Sequence, residues 1–428
     1  MKWRTKSYVS VKSGYNMLRK NIKIQPHAEC VYTLESYGRV LHNDIQSSVD
    51  IPPRTSSHMD GMAVIAADIK YASPSTPITL SIVRNVGLGK IPNRSLYSGQ
   101  AARISTGGYL PPRADAVVPI EQTRILSKDK VAILSSFSNG SFISASGTDV
   151  KKGAKLFRRG AILRAQDVAL LSIVGIMRVS VFKRPKVGII PTGSELTDNP
   201  LEIRQGKIFN TNSHVISRLV QEAGGVPMDL GNTADKAEEI QSKMKSALTK
   251  TDIILTIGGS SMGEHDVVEE SINSMGKPGI LVHGVKLDRG RVAGVGAIKG
   301  KAIIILPGPI QGSVSAFIVF VQPLLRFLSG LPEYSHDGKN CILAKRWEAR
   351  KKFRDFVKVV YVQIKLTKYC KFEAIPITGE TAAMTVLTRA NGYILIPEKT
   401  DSIDAGEQVH VNLLPGLSYT TGYPVVFL

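Results

Sequence analysis

From Lys186 to Leu328 the spacing of apolar positions switches repeatedly between two periods. Val187-Gly188-Ile189-Ile190, Met228-Asp229-Leu230, Asp252 to Ile257, Ile280 to Val285, Val292 to Ala297 and Ala302 to Leu306 are short apolar runs that read as strands. Asn212 to Ala223, Asp235 to Leu248, Val267 to Met275 and Ser313 to Leu328 read as helices. In the first helix Val215, Leu219 and Ala223 share a face with Ile216 and Val220; in the second Ile240, Met244 and Leu248 point inward. Strands alternating with helices predict a mostly parallel sheet covered on both faces. Ligands of such sheets bind outside the carboxyl ends of the strands. The turns Thr192 to Glu195 and Gly258 to Asp266 both follow strands and are expected side by side.

The flanking regions have another texture. Residues 49–145 are rich in Pro, Gly and Ser, with short apolar runs between turns, and read as a β-rich domain. In residues 146–182, Gln166 to Gly175 reads as a helix and Val179 to Phe182 as a strand. Before residue 49, a helix is expected near Ala28 to Tyr37 and a short strand at Gly38 to Leu41. Residues 1–48 and 146–182 are expected to form one discontinuous linker domain, with residues 183–330 as the α/β domain. In residues 331–428, Lys358 to Leu366, Glu373 to Ile377, Gly392 to Ile396 and Glu407 to Leu413 are strand-like, with turns at Asp337-Gly338 and Ala405-Gly406. A small β-barrel is the economical arrangement for them.

Composition narrows the class. A chain of 428 residues with 43% hydrophobic and 21% charged residues is globular, multidomain and not disordered. The net charge of +20 is spread along the chain without a nucleic-acid recognition motif, so it suits anionic substrates or a general bias better than nucleic acid. Cys30, Cys341 and Cys370 form neither a metal-ligand pattern nor a disulfide framework, which favours a reducing cytoplasm. No apolar signal region follows Met1-Lys2-Trp3-Arg4. The apolar stretch Ile303 to Leu328 is interrupted by Pro307, Pro309, Gln311, Gly312 and Pro323, and reads as a buried strand, turn and helix rather than a membrane span.

The turn Gly258-Gly259-Ser260-Ser261-Met262-Gly263-Glu264-His265-Asp266 is the richest candidate for chemistry. Its glycines allow close approach of the backbone to a phosphate at a helix start, and Glu264 and Asp266 suit a Mg²⁺ ion beside it. A plain tight turn, in which both acids only favour the helix N-terminus, fits equally. Asp60, Glu195, Asp235 and Asp266 are the acids that a common site would gather. Each has a simpler reading: Asp60-Gly61 is a turn signal, Glu195 a surface turn, and Asp235 with Glu238 a capping box. His265 reads as a base or as a helix-start histidine. Lys286, Arg289 and Arg291 read as an oxyanion cluster or a solvated basic turn. Thr106 beside Gly107-Gly108 offers a phosphate or carbonyl contact, or a loop. The residues alone thus point to a Mg²⁺-assisted phosphate-handling site on an α/β domain and leave the substrate open.

Taken together, the motifs resemble the molybdopterin molybdenumtransferase family, the MoeA type, also found as the E domain of gephyrin. The resemblance rests on Met59-Asp60-Gly61-Met62-Ala63-Val64, Thr106-Gly107 with Ala114-Asp115-Ala116-Val117-Val118, Pro191-Thr192-Gly193-Ser194-Glu195-Leu196, Asn210-Thr211-Asn212 and Gly258 to Asp266. Leu306-Pro307-Gly308 and Arg389-Ala390-Asn391-Gly392 extend it toward the C-terminus. It implies a discontinuous mixed domain, a β-rich second domain, a three-layer α/β molybdopterin-binding domain and a C-terminal β-barrel, assembled as an elongated homodimer. It implies insertion of molybdate or tungstate into adenylylated molybdopterin, with Mg²⁺-assisted release of AMP. By matched position, Asp60, Glu195, Asp235 and Asp266 are the implied catalytic residues, and Glu195, Glu264 and Asp266 the implied metal ligands. Thr106, Gly258, Gly259, Ser260, Ser261, Arg291 and Ser313 would bind substrate.

Two stretches depart from the family. Its Lys-Pro-Gly-Lys-Pro is Asp288-Arg289-Gly290-Arg291-Val292 here, and its Leu-Pro-Gly-Asn-Pro-Val-Ser is Leu306-Pro307-Gly308-Pro309-Ile310-Gln311-Gly312. Both fall where the metal oxyanion is expected. Asp288 would repel it unless Lys286 or Arg289 compensates, and Arg is not a neutral substitute for Lys. An altered working site, a tungstate preference, or a diverged paralogue that binds pterin as a scaffold without metal transfer are the readings this leaves.

Overall fold

A computed structural model of the protein describes residues 7–259, 266–334 and 338–414. The chain divides into two compact units, residues 30–181 and the segments on either side of them.

The flanking segments build a layered α/β body. Its elements are α1 (Val11–Asn21), β1 (Lys186–Pro191), α2 (Thr211–Glu222), β2 (Val226–Asp229), α3 (Ala237–Lys250), β3 (Ile253–Ile257), α4 (Val267–Ser274), β4 (Pro278–His283), β5 (Gly294–Ile298) and β6 (Lys301–Leu306). The sheet order is β2-β1-β3-β6-β5-β4. β2, β1, β3 and β6 run parallel, whereas β5 and β4 are antiparallel additions at one edge. Side chains alternate between the faces as the pleat requires. Ile253, Leu255 and Ile257 pack with Ile216 and Val220 of α2; Ile254 packs with Ile240 and Met244 of α3 and Val268 and Ile272 of α4. Strands buried on both sides read as unbroken apolar runs, which is why the sequence reveals them.

The helix from Ile310 to Leu328 also belongs to the first face. It is long and apolar enough to cross a membrane, yet most of it is buried within the fold, and Phe317–Val321 widens into a π-helical turn before Pro323. α1 was not evident from the sequence. Ser10 caps it by accepting from the Ser13 N–H at 3.1 Å, and Tyr15, Leu18 and Ile22 join the same core. Burying Leu18 alone contributes on the order of 2 kcal/mol.

The helix expected near Ala28 to Tyr37 is absent. Ala28–Tyr32 is a strand whose residues alternate in exposure, followed by a single 3₁₀ turn, Thr33–Glu35. The strand expected at Gly38 to Leu41 is reduced to single bridges from Val40 to Ile162 and from Leu41 to Val181.

Residues 30–181 contain a six-stranded sheet in the order Ala116–Pro119, Gly61–Val64, Gln100–Ile104, Ile78–Val86, Lys130–Ile133, Thr123–Ser127. Gly61 is required there, because a Cβ would stand 2.0 Å from the Val118 carbonyl oxygen. Beside it the helix Ala165–Ile173 packs over Leu41, Leu163, Val179 and Val181. At the C-terminus Gly338–Leu343, Phe372–Pro376, Lys358–Leu366, Gly392–Ile396 and Gln408–Leu413 close a five-stranded barrel around Cys341, Val362, Ala374, Ile394 and Val411.

Candidate functional site

β1 and β3 are adjacent parallel strands, and the chain leaves them toward opposite faces. α2 follows β1 on one face and α4 follows β3 on the other. That divergence opens a crevice at the carboxyl ends of the two strands. Backbone bonds hold its floor together: Thr192 N–H donates to Ile257 O at 2.8 Å, Gly193 N–H to Thr233 O at 3.0 Å, and Gly258 N–H to Leu306 O at 3.1 Å. The turns after β1 and β3 therefore do lie side by side. The Gly258 N–H is therefore engaged within the sheet by Leu306.

Packing at the two glycines is close. A Cβ on Gly258 would lie 2.6 Å from Thr192 O; on Gly259 it would lie 2.2 Å from Thr192 Oγ1 and 3.1 Å from Asp235 Oδ1. Both glycines are left-handed, with φ of 84° and 63°. The glycines thus let the chain leaving β3 run directly against the Asp235 carboxylate.

Asp235, Glu195 and Asp266 come together here. The Asp235 carboxyl is held above the usual range, first by partial burial and then by the negative charges of Glu195 and Asp266; the Ser194 backbone N–H opposes this by bonding the carboxylate. Glu195 folds back over Gly193, where a Cβ would meet its Oε1 at 2.6 Å. The capping box expected at Asp235 and Glu238 does not form. α3 begins at Ala237, and Glu239 receives the Ala234 N–H at 3.2 Å, leaving Asp235 turned toward the strand ends.

Asp266 is buried and caps α4: its Oδ1 accepts from Glu269 N–H at 2.9 Å. Its Oδ2 lies 3.7 Å from His283 Nε2, and His283 Nδ1 lies 2.5 Å from Glu269 Oε2. Asp266, Glu269 and His283 present ligand atoms within 4.8 Å of one another, a cluster that can hold a metal ion. Ser260, Ser261, Glu264 and His265 lie outside the described residues.

Neighbouring side chains brace the crevice. Asn212, at the start of α2, donates to Gly308 O at 2.6 Å. Lys243 gives its ammonium to the carbonyls of Leu230, Gly231 and Asn232 at 2.6 to 2.8 Å, and desolvation lowers its pKa. In the other unit Asp60 and Thr106 form a pair. Asp60 Oδ1 accepts from the Thr106 backbone N–H at 2.7 Å and its hydroxyl at 3.1 Å.

The basic stretch after β4 is organised differently from expectation. Asp288 is compensated neither by Lys286 nor by Arg289, but by an ion pair with Arg350. Arg289 donates to Gln311 Oε1 at 2.6 Å and Gly379 O at 2.7 Å. Arg291 is exposed, with its guanidinium 5.8 Å from the Phe353 ring centroid. Ser313 is fully buried and its hydroxyl donates to Pro307 O, so it supports the loop after β6. Glu269, His283 and Arg350 were not singled out by sequence. Only the tertiary pairing of distant segments reveals them.

Residues 9–175 match the MoeA N-terminal region (domain I and II), residues 188–326 a probable molybdopterin binding domain, and residues 340–414 the MoeA C-terminal region (domain IV). The molybdopterin molybdenumtransferase of Bacillus subtilis (strain 168) is 30% identical over 91% of this chain and 90% of its own length. A putative molybdopterin biosynthesis protein of Methanocaldococcus jannaschii is 32% identical over 89% of this chain and 91% of its own. A solved molybdopterin biosynthesis MoeA protein from Pyrococcus horikoshii superposes with a TM-score of 0.80 at 30% identity, covering 96% of this chain and 100% of that one.

Proposed function

The chain belongs to the MoeA family of molybdenum cofactor biosynthesis proteins, and we propose that it is a molybdopterin molybdenumtransferase. Its substrates on this reading are adenylylated molybdopterin and molybdate or tungstate, and its products metal-loaded molybdopterin and AMP. The reading extends to a homodimer acting in the cytoplasm. What supports it most is the convergence of Glu195, Asp235 and Asp266 at the diverging ends of β1 and β3, where burial first, and then repulsion from the charges of Glu195 and Asp266, raise the Asp235 pKa.

A set of close carboxylate oxygens fits a hard divalent cation such as Mg²⁺, because such an ion relieves that repulsion. Glu195 and Asp266 are the residues that would hold it, with Asp235 alongside. The bound ion supplies charge neutralisation at the phosphoanhydride. The remaining work belongs to the protein. Thr192 and Gly259 shape the phosphate end of the crevice. Asn212 fixes the loop at Gly308 beside it, and Lys243 holds the far wall at 230–232. Arg291 and the Asp288–Arg350 pair supply the charge balance where an oxyanion would enter.

The test is turnover of adenylylated molybdopterin with Mg²⁺ and either molybdate or tungstate, following AMP and metal-loaded pterin. Product with either oxyanion is expected, and Asp266→Asn should lower turnover by about 10- to 100-fold or more while leaving the fold intact. Normal turnover by that variant would remove Asp266 from the site. Tight pterin binding without product from either oxyanion would replace the transferase with a pterin-binding scaffold.

A further inference from the structure

We propose that Glu269 and His283 are positioning residues that fix the Asp266 carboxylate in the crevice. This deepens the transferase reading and rests on it for the role of Asp266.

The geometry is a closed loop of contacts. Glu269 acts twice: its backbone N–H holds Asp266 Oδ1 at 2.9 Å, and its side chain holds His283 Nδ1 at 2.5 Å. An ionised carboxylate only accepts, so the proton in that bond sits on Nδ1. This fixes the ring and turns Nε2 toward Asp266 Oδ2, 3.7 Å away. That separation is too long for a hydrogen bond, so the ring confines the Asp266 carboxylate by packing against it in a buried setting. The side chains of His283 and Asp266 are 2% and 4% exposed, so neither has room to swing out.

The fold has made a place for this ring. His283 ends β4 and pairs with Gly294 of β5, which pairs in turn with Ile305 of β6. A Cβ on Gly294 would stand 3.4 Å from His283 Cδ2 and 3.2 Å from Ile305 Cδ1. A Cβ there would also press on Val282 O at 3.1 Å, so the glycine keeps the strand pairing tight beside the imidazole. The 2.5 Å contact between Nδ1 and Oε2 is itself a hydrogen bond and not a metal-bridged pair, since two ligands of one ion stand about 3 Å apart. Asp266 is the member of the cluster whose charge reaches Asp235, and Glu269 and His283 pack against it from α4 and β4. Partners that orient a ligating carboxylate in this way change metal affinity by about 10- to 100-fold when removed.

The experiment titrates the full-length protein with Mn²⁺ alone, by electron paramagnetic resonance, and measures amide exchange across residues 266–272. Wild type is compared with D266N, E269A, E269Q, H283Q and E269A/H283Q. Mn²⁺ binding is expected to weaken about 10- to 100-fold in E269A and in H283Q. E269Q should keep most of the affinity, and the double variant should be no worse than the weaker single, because the two residues act in series. Exchange of the Glu269 amide should accelerate in H283Q, a change that reports loosening of its bond to Asp266. Affinity within twofold of wild type in H283Q and E269A, with D266N impaired, would overturn the proposal and leave the metal reading intact. Equal Mn²⁺ affinity in wild type and D266N would remove the metal from Asp266. Glu269 exchange then decides: acceleration in H283Q supports positioning, and unchanged exchange overturns it.

Discussion

Gly259→Ala tests whether the close approach of the chain leaving β3 to Thr192 and Asp235 builds the crevice. Two costs add. At φ +63° an alanine carries the left-handed penalty, about 1–2 kcal/mol. Its Cβ would also stand 2.2 Å from Thr192 Oγ1, 2.8 Å from Val268 Cγ2 and 3.1 Å from Asp235 Oδ1. Thr192 and Val268 are buried and cannot yield freely, so overpacking adds about 1–3 kcal/mol. The expected loss is about 2–5 kcal/mol. Gly206→Ala isolates the first cost, because Gly206 has φ +88° with nothing within 4 Å of its Cβ position. Urea unfolding of both variants gives the difference. Turnover should be lost in Gly259→Ala, where Asp235 and Thr192 are displaced, and kept in Gly206→Ala. If the two variants are equally stable and equally active, the packing at Gly259 is not what shapes the site.

Asp235→Asn should be more stable than wild type at neutral pH and inactive. Burial, Glu195 and Asp266 raise the Asp235 pKa, so its favourable contribution is full below the unfolded value of 3.8 and is lost as pH rises through the folded pKa. Urea midpoints should therefore differ at pH 7 and coincide in acid; a gap that persists in acid would show a cause other than titration. Arg350→Ala leaves Asp288 unpaired beside Arg291 and should weaken apparent oxyanion affinity about 10-fold, with R350A/D288A recovering most of it. Steady-state turnover against molybdate or tungstate reads this directly, and an unchanged KM in R350A refutes it.

The central sheet was legible because its strands are buried on both faces and its helices repeat at 3.6 residues. α1 was missed because Lys12, Ser13, Arg19 and Lys20 break up a face whose apolar positions, Tyr15, Leu18 and Ile22, matter only against the outer strands. The stretch near Ala28 to Tyr37, where a helix is expected, instead splits into the strand Ala28–Tyr32 and a 3₁₀ turn, and so short a stretch holds too little pattern to separate the two periods. The Asp235–Glu238 spacing matches a capping box, but the helix starts later and Glu239 takes the loop N–H instead. Asp235 is freed for the crevice by the position of Ser194, which belongs to another strand end. His283 and Glu269 are separated by 14 residues, and only the packing of α4 against β4 joins them. The strand-end turns were thus visible as local motif, and the contacts around Asp266 were not.

The two motif departures make sense as one packed unit. Gly312 stands where the family has serine, and a Cβ there would lie 2.4 Å from the Arg289 carbonyl oxygen. The glycine lets the 288–292 loop settle onto the start of the helix at Ile310. Gln311, which replaces valine, uses its carbonyl oxygen to receive Arg289 and its amide nitrogen to bond the carbonyls of Glu380 and Ala383 at 2.6 and 2.9 Å. Tyr361 adds a bond to Gln311 O at 3.3 Å, and full burial raises its pKa so that the phenol stays a donor. Asp288 is answered by Arg350, 62 residues away in sequence. A buried amide is tolerated only where all its bonds are met. Here each foreign side chain finds its partner in the barrel region or in the other altered motif. Restoring one motif alone would leave Arg289, Gln311 or Arg350 unmatched, so the altered loops form a single packed unit rather than a series of separate losses.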